Sequence, residues 1–258
     1  MSKLLTISRR NELLSIIQEN SSANVSDLAK LFKVSTETIR KDLVYLESNG
    51  LVIRGHGGAI IPEGHYDLPI KLKLLTHSEP KKAIARKTAE LIPDKSSIYI
   101  GPGSTETMIA KQLINRPNIK IFTNSIMIAQ LYCDRGTENR NFLLFGGTIE
   151  AISMSTVGSL TLDSIDSMFF DYAILGTSGF EKMEGPSTFS YGELAIAKKV
   201  LQKSRKTIII GDSSKFEKTS LFMYARWEDV DLLVTNNDPD LQPLMDKISK
   251  KVEIVLAD

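Results

Sequence analysis

Two hydrophobic rhythms divide the chain. Up to about residue 60 the apolar positions recur at helical spacing, whereas from about Glu79 onward they gather into short, nearly unbroken runs separated by helical stretches. In the first region, "RRNELLSIIQEN" places Leu13, Leu14, Ile16 and Ile17 on one broad face. A second helix is predicted from Ser26, a good N-cap, through "SDLAKLF", with Leu28, Leu31 and Phe32 at helical spacing. A third opens at Ser35 and runs through "STETIRKDLVYLESNG", with Ile39, Leu43 and Leu46 at i, i+4 and i+7, and stops at Gly50. Its polar face carries Thr36, Glu37, Arg40 and Lys41. "LVIR" and "AI" around "GHGG" then predict two short strands flanking a glycine-rich tip.

Residues 61–76 hold Pro62, Gly64 and Pro69 without sustained periodicity and are expected to be a linker. Beyond it the β-like runs are "SIYIG", "KIFTN", "FLLFG", "DYAILG", "TIIIG", "DLLVT" and "EIVL". Near-continuous apolar strands alternating with helices predict a mostly parallel, Rossmann-like sheet covered on both faces. In such sheets ligands bind at the carboxyl ends of the strands. The expected organisation is therefore α/β with two unequal domains: 1–60, with two short helices about a tight turn at 23–42, and 77–258.

Composition narrows the class. With 42% apolar and 24% charged residues and no apolar run near the ~20 residues of a membrane span, the expectation is a soluble, cytoplasmic chain without a signal peptide. Cys133 is the one cysteine, and His56, His65 and His77 show no metal-ligand spacing, so neither a disulfide, a structural metal nor another cofactor is expected. Residues 1–60 carry eight Lys/Arg against six Asp/Glu, and the rest 24 against 25; so mild an asymmetry decides nothing alone.

Two short helices about the "KVS" turn, the second with cations on its outer face, fit a DNA-binding helix-turn-helix. Ser35, Thr36, Glu37 and Thr38 sit at the amino end of the recognition helix, where that motif points at base edges. Arg40 suits a bidentate contact with guanine or a phosphate, and Lys41 the backbone. Glu37 suits a cytosine amino group or the helix dipole. Arg54 and His56 would lie on a wing along the DNA. The alternative is a small helical domain that binds another protein through the same polar face. The stretch Val25 to Ala59, above all "VSTETIRKDL" and "RGHGGA", resembles the winged helix-turn-helix of the DeoR family of bacterial transcriptional regulators, with Lys41 where that family most often has a second arginine.

The resemblance extends through "GPGST" at 101–105, "TNS" at 123–125, "GG" at 146–147, "VG" at 157–158 and "DSSKF" at 212–216. It implies an effector domain, resembling ribose-5-phosphate isomerase-type folds, that binds a phosphorylated sugar, polyol or related metabolite. It also implies a repressor of a carbohydrate-uptake or catabolic operon, acting on double-stranded operator DNA. The residues are compatible with that. Gly103, Ser104 and Thr105 stand where a strand meets a helix, a place for an anion or simply a capped turn. Thr123, Asn124 and Ser125 repeat the arrangement at a second strand end, and Gly146 and Gly147 close a third. Lys215 would supply a cation, with Asp212 orienting it or a sugar hydroxyl. Gly101 departs from the usual regulator form, which has Asp there.

The rival is a sugar-phosphate isomerase. Such enzymes share the "GPGST"-like loop, but their acidic "GADE" pattern is here "GTSG", Gly176 to Gly179, and their triple glycine is absent. That leaves Glu193 as the remaining candidate base, or as a polar residue at a helix start, and the expectation is a sensor that binds without turnover. One winged domain reads only a half-site, so a homo-oligomer, dimer or tetramer, is expected.

Overall fold

The computed structural model describes residues 22–48, 52–55, 57–60, 69–74, 77–134, 141–182, 184–216 and 218–258, together with residues 6, 9, 10, 12–14, 16, 17 and 20. The chain divides into two compact units, Met1–Leu68 and Pro69–Asp258.

The first unit opens with α1, helical at the described residues between Thr6 and Asn20. There follow β1 (Ser22–Asn24), α2 (Val25–Leu31), α3 (Thr36–Ser48), β2 (Ile53–Gly55) and β3 (Gly58–Ile60). Leu13, Leu14, Ile17, Leu28, Ile39, Leu43 and Leu46 are all buried, so the three apolar faces meet in one core. Two expectations need correction. The N-cap of α2 is Asn24, whose side chain accepts from Ser26 N at 2.9 Å, so the helix starts one residue before Ser26. Its buried face is Val25, Leu28 and Ala29, which turns Leu31 out to 62% exposure. The sheet also has three strands, ordered β1-β3-β2. β1 reads "SAN", too short and polar for any alternation to announce it.

In the second unit α4 (Ile70–Lys73) lies inside the segment expected to be linker. Ile70 is buried and its N–H donates to Ile152 O at 2.9 Å; a single turn is too short to show a period. After it come α5 (Ser78–Leu91), β4 (Ser97–Ile100), α6 (Ser104–Leu113), β5 (Lys120–Thr123), α7 (Ile126–Asp134) and β6 (Phe142–Leu144). A hairpin of β7 (Thr148–Glu150) and β8 (Ser155–Val157) leads to α8 (Ser159–Asp166) and β9 (Phe170–Gly176). Then follow β10 (Gly179–Glu181), β11 (Gly185–Thr188), α9 (Tyr191–Gln202), β12 (Ser204–Ile210), β13 (Phe222–Met223), β14 (Leu232–Asn236), α10 (Gln242–Ile248) and β15 (Glu253–Ala257).

The seven apolar runs form one sheet in the order β15-β14-β12-β9-β4-β5-β6, with every pairing parallel. Alternate residues of each strand feed opposite faces. Ile98 and Ile100, Ile174, Ile208 and Ile210, and Val234 pack with α5, α6 and α7. Tyr99, Ala173 and Leu175, Ile209, and Leu233 pack with α8, α9 and α10. Two apolar faces per strand are what a doubly covered sheet demands, hence the unbroken runs. Strand order reverses between β4 and β9: the chain runs outward through β5 and β6, then returns to β4's other side. The crevice above the carboxyl ends of β4 and β9 is therefore the topological switch point.

Candidate functional site

On the first unit, α3 presents one buried and one open face. Ser35 Oγ accepts from Thr38 N at 3.1 Å and meets Thr38 Oγ1 at 2.9 Å, capping the helix and using both hydroxyls. Thr36, Glu37, Arg40 and Lys41 are exposed together on the open face. Arg40 Nη1 lies 3.8 Å from Glu37 Oε2, with both side chains more than half exposed, a loose pair that a nucleic acid can break cheaply. On the wing, Arg54 is tied back to α3: its Nε donates to Glu47 Oε2 at 2.7 Å and its N–H to Oε1 at 3.1 Å. These bonds hold the Glu47 carboxyl below its usual range. His56 lies outside the described residues.

Asp42 went unread in the sequence. It sits on the buried face of α3 at 1% exposure and receives Arg9 Nε at 2.6 Å and Arg10 Nε at 2.7 Å. Arg10 also lies 3.9 Å from the centre of the Tyr45 ring. A carboxylate this enclosed is tolerable because two guanidinium groups satisfy both oxygens, and the pairing fixes α1 against the reading helix. An aspartate within a helical apolar stripe was the available signal.

On the second unit, the switch-point crevice gathers groups from five elements. The start of α6 has Gly103 as N-cap with no side-chain cap, and Ser104 and Thr105 are its first two residues, both buried. The next residue, Glu106, folds its side chain back over the turn. A methyl group placed on Gly103 or Gly176 would overlap its carboxylate, and one on Gly101 would lie 3.8 Å from Oε1. The carboxylate thus lies between the ends of β4 and β9. Burial pushes its pKa up, against the pull of its own N–H, the Gly176 N–H and the Lys73 and Lys215 ammonium groups. Gly176 is pinned from the other side too, its carbonyl accepting from Tyr224 OH at 2.6 Å.

Asp212, at 1% exposure, follows β12. Its Oδ1 accepts from Ser214 N at 3.1 Å and Ser214 Oγ at 2.5 Å, while Oδ2 has no hydrogen-bond partner. Burial pushes this carboxyl up, yet Lys215, the Ser214 hydrogen bond, Lys81 and His77 together hold it below the usual range. Lys81, on α5, is 4% exposed and donates from Nζ to Lys73 O at 2.5 Å. Burial, opposed by Asp212, lowers its pKa to about 8. Lys81 and Lys215 therefore concentrate positive charge beside Asp212, and Lys73 adds to it next to Lys81. Sequence reading singled out only Lys215 of the three; an ammonium turned inward on α5, within "EPKKAIA", was the missed sign.

Other expected site residues are spent on the fold. Thr123, Asn124 and Ser125 are fully buried at the end of β5. Thr123 Oγ1 donates to Ile100 O at 2.7 Å and accepts from Ser125 N at 3.0 Å. Asn124 accepts from Tyr99 OH at 2.7 Å and donates to Thr156 O at 2.8 Å. Their side chains stiffen the crevice wall. Gly146 O accepts from Thr161 Oγ1 at 2.8 Å, and a Cβ at Gly147 would overlap that hydroxyl, which makes the glycine pair a close approach to α8. Glu193 stands in the first turn of α9: its N–H donates to the Ser190 cap at 3.2 Å and its Oε2 accepts from Thr188 Oγ1 at 2.8 Å. It acts electrostatically, with Glu106, on the buried Tyr99 and Tyr224 hydroxyls. Beside Glu193, expected as the remaining candidate base, Glu106 is a second carboxyl at the crevice, and it reaches there from a helix rather than from a strand end.

Residues 9–64 match the family model of the DeoR-like helix-turn-helix domain, and residues 76–237 that of the DeoR C terminal sensor domain. The chain is 29% identical over 249 residues to the glycerol-3-phosphate regulon repressor of Escherichia coli (strain K12), covering 96% of this chain and 98% of the relative. It is 30% identical over 249 residues to the HTH-type transcriptional repressor GlcR of Bacillus subtilis (strain 168), covering 95% and 94%. Among solved structures, the ribose 5-phosphate isomerase A of Methanocaldococcus jannaschii aligns over 55% of each chain at 17% identity with a TM-score of 0.40.

Proposed function

Because this chain belongs to the DeoR family of bacterial transcriptional regulators, it is a DNA-binding regulator of transcription, and we propose that it is a cytoplasmic repressor released from its operator by a phosphorylated sugar or polyol. The observation that carries the effector reading is the pairing of Lys81 and Lys215 with the buried Asp212 at the switch point, with Lys73 acting on Lys81 and on Glu106. A phosphate dianion suits that field, and the unpartnered Asp212 Oδ2 offers an acceptor for an effector hydroxyl.

Residues 1–60 then read DNA and 69–258, which include α4 and Lys73, sense the effector. Thr36, Glu37, Arg40 and Lys41 face the bases and phosphates, and Arg54 steadies the wing. Effector binding favours one arrangement of a homo-oligomer over another, and operator affinity changes by the same factor. Turnover is not part of this reading. The Glu106 carboxylate is engaged by two backbone N–H groups, Glu193 is engaged at its helix start, and positions 177–179 hold Thr177, Ser178 and Gly179.

The test is a thermal-shift screen of sugar and polyol phosphates followed by calorimetry on Lys215→Met. At least one phosphate should stabilise the wild type, since binding raises apparent stability by mass action, and the variant should lose that response while still shifting operator DNA in a gel. Normal effector affinity in the variant would remove Lys215 from the site. Turnover of a pentose or hexose phosphate that vanishes with Glu193→Ala would overturn the sensor reading.

A further inference from the structure

The cradle at the start of α6 already holds an acidic side chain. Gly103 caps a ten-residue helix without a side-chain hydrogen bond, which leaves the first-turn N–H groups and the positive end of the helix dipole facing the crevice. The Glu106 side chain turns back into that space. Its carboxylate accepts from its own N–H and from Gly176 N–H, and it covers both Gly103 and Gly176 so closely that a methyl group at either would overlap it unless the side chain moved. At 4% exposure the carboxylate is sealed in by the strand ends of β4 and β9. A phosphate drawn to the same N–H groups would meet the Glu106 carboxyl group in the same volume.

We propose that the Glu106 carboxylate is a resident anion in this cradle that a phosphorylated effector must displace, so that Glu106 sets the effector concentration at which the protein responds. The proposal rests on the phosphorylated-effector reading above. Lys73 and Lys215, which act on Glu106 in the closed arrangement, are the cations that receive the phosphate once the carboxylate leaves.

The experiment is calorimetric titration of the full chain with inorganic phosphate and with the best sugar phosphate from the screen, comparing wild type, Glu106→Gln, Glu106→Ser and Lys215→Met at one pH and salt. Removing the resident charge should tighten phosphate binding about tenfold or more in both position-106 variants, by the loss of a like charge from a poorly screened site. Glu106→Ser covers the case in which the glutamine stays wedged in the cradle or fails to fold. Equal or weaker binding in both, with Lys215→Met still defective, overturns the proposal and leaves the effector site standing. If none of the four proteins binds either ligand, the phosphorylated-effector reading fails, and the proposal with it.

Discussion

On the proposed reading, effector binding should take up a proton at Lys81. In the free protein, burial holds this ammonium at a pKa of about 8, so it carries its proton about nine times in ten at pH 7 and about once in ten at pH 9. A phosphate dianion alongside restores the ordinary lysine value of about 10.4. The sign follows: the group is depressed when free and raised when bound, so binding favours the protonated form, and affinity is greatest below pH 8 and falls as pH rises toward 10.4. Uptake per site should be about 0.1 proton at pH 7, 0.5 at pH 8 and 0.9 at pH 9, and affinity should fall about tenfold from pH 7 to 9. Phosphate itself titrates near pH 6, below this window. Calorimetry in buffers of different ionisation enthalpy reads the uptake directly. Arginine does not deprotonate in this range, so Lys81→Arg should bind without uptake and with a flat pH profile. Uptake below about 0.2 at pH 9, or the same uptake in Lys81→Arg, would refute the assignment of Lys81 to the phosphate.

Asp42→Ala should destabilise the first unit by about 2–4 kcal/mol, because it leaves two partly enclosed guanidinium groups without their carboxylate; a denaturation midpoint equal to wild type would show that the pairing holds nothing. Arg40→Ala should weaken operator binding in a gel-shift titration without lowering the melting temperature. If Arg40 meets a phosphate, the salt slope should also drop by about one; an unchanged affinity at fixed salt would remove Arg40 from the interface.

The large elements were legible because each leaves a long, regular signal. Ile39, Leu43 and Leu46 announce the buried stripe of α3, and seven apolar runs announce seven parallel strands. Short elements were not: β1 and α4 are three and four residues long, below any period. The site was legible where chemistry sits at strand ends in sequence, as at Gly103, Asp212 and Lys215. It was illegible where a helix delivers the group sideways. Lys81 and Glu106 read as ordinary helix charges, and only the close approach of α5 and α6 to the sheet turns them inward. Gly101 departs from the regulator pattern, and nothing in the structure explains it.

The order of strands has a consequence for biosynthesis. Every strand pairing of the first unit closes by Ile60, whereas β4, the first strand of the large sheet to be made, waits for its partner β9, with Ile98 facing Tyr172. At about 5–20 residues per second, the ribosome takes roughly 6–23 s to travel from the end of β3 to the end of β9. The segment matched by the helix-turn-helix model is therefore made well before the crevice of the segment matched by the sensor model is complete.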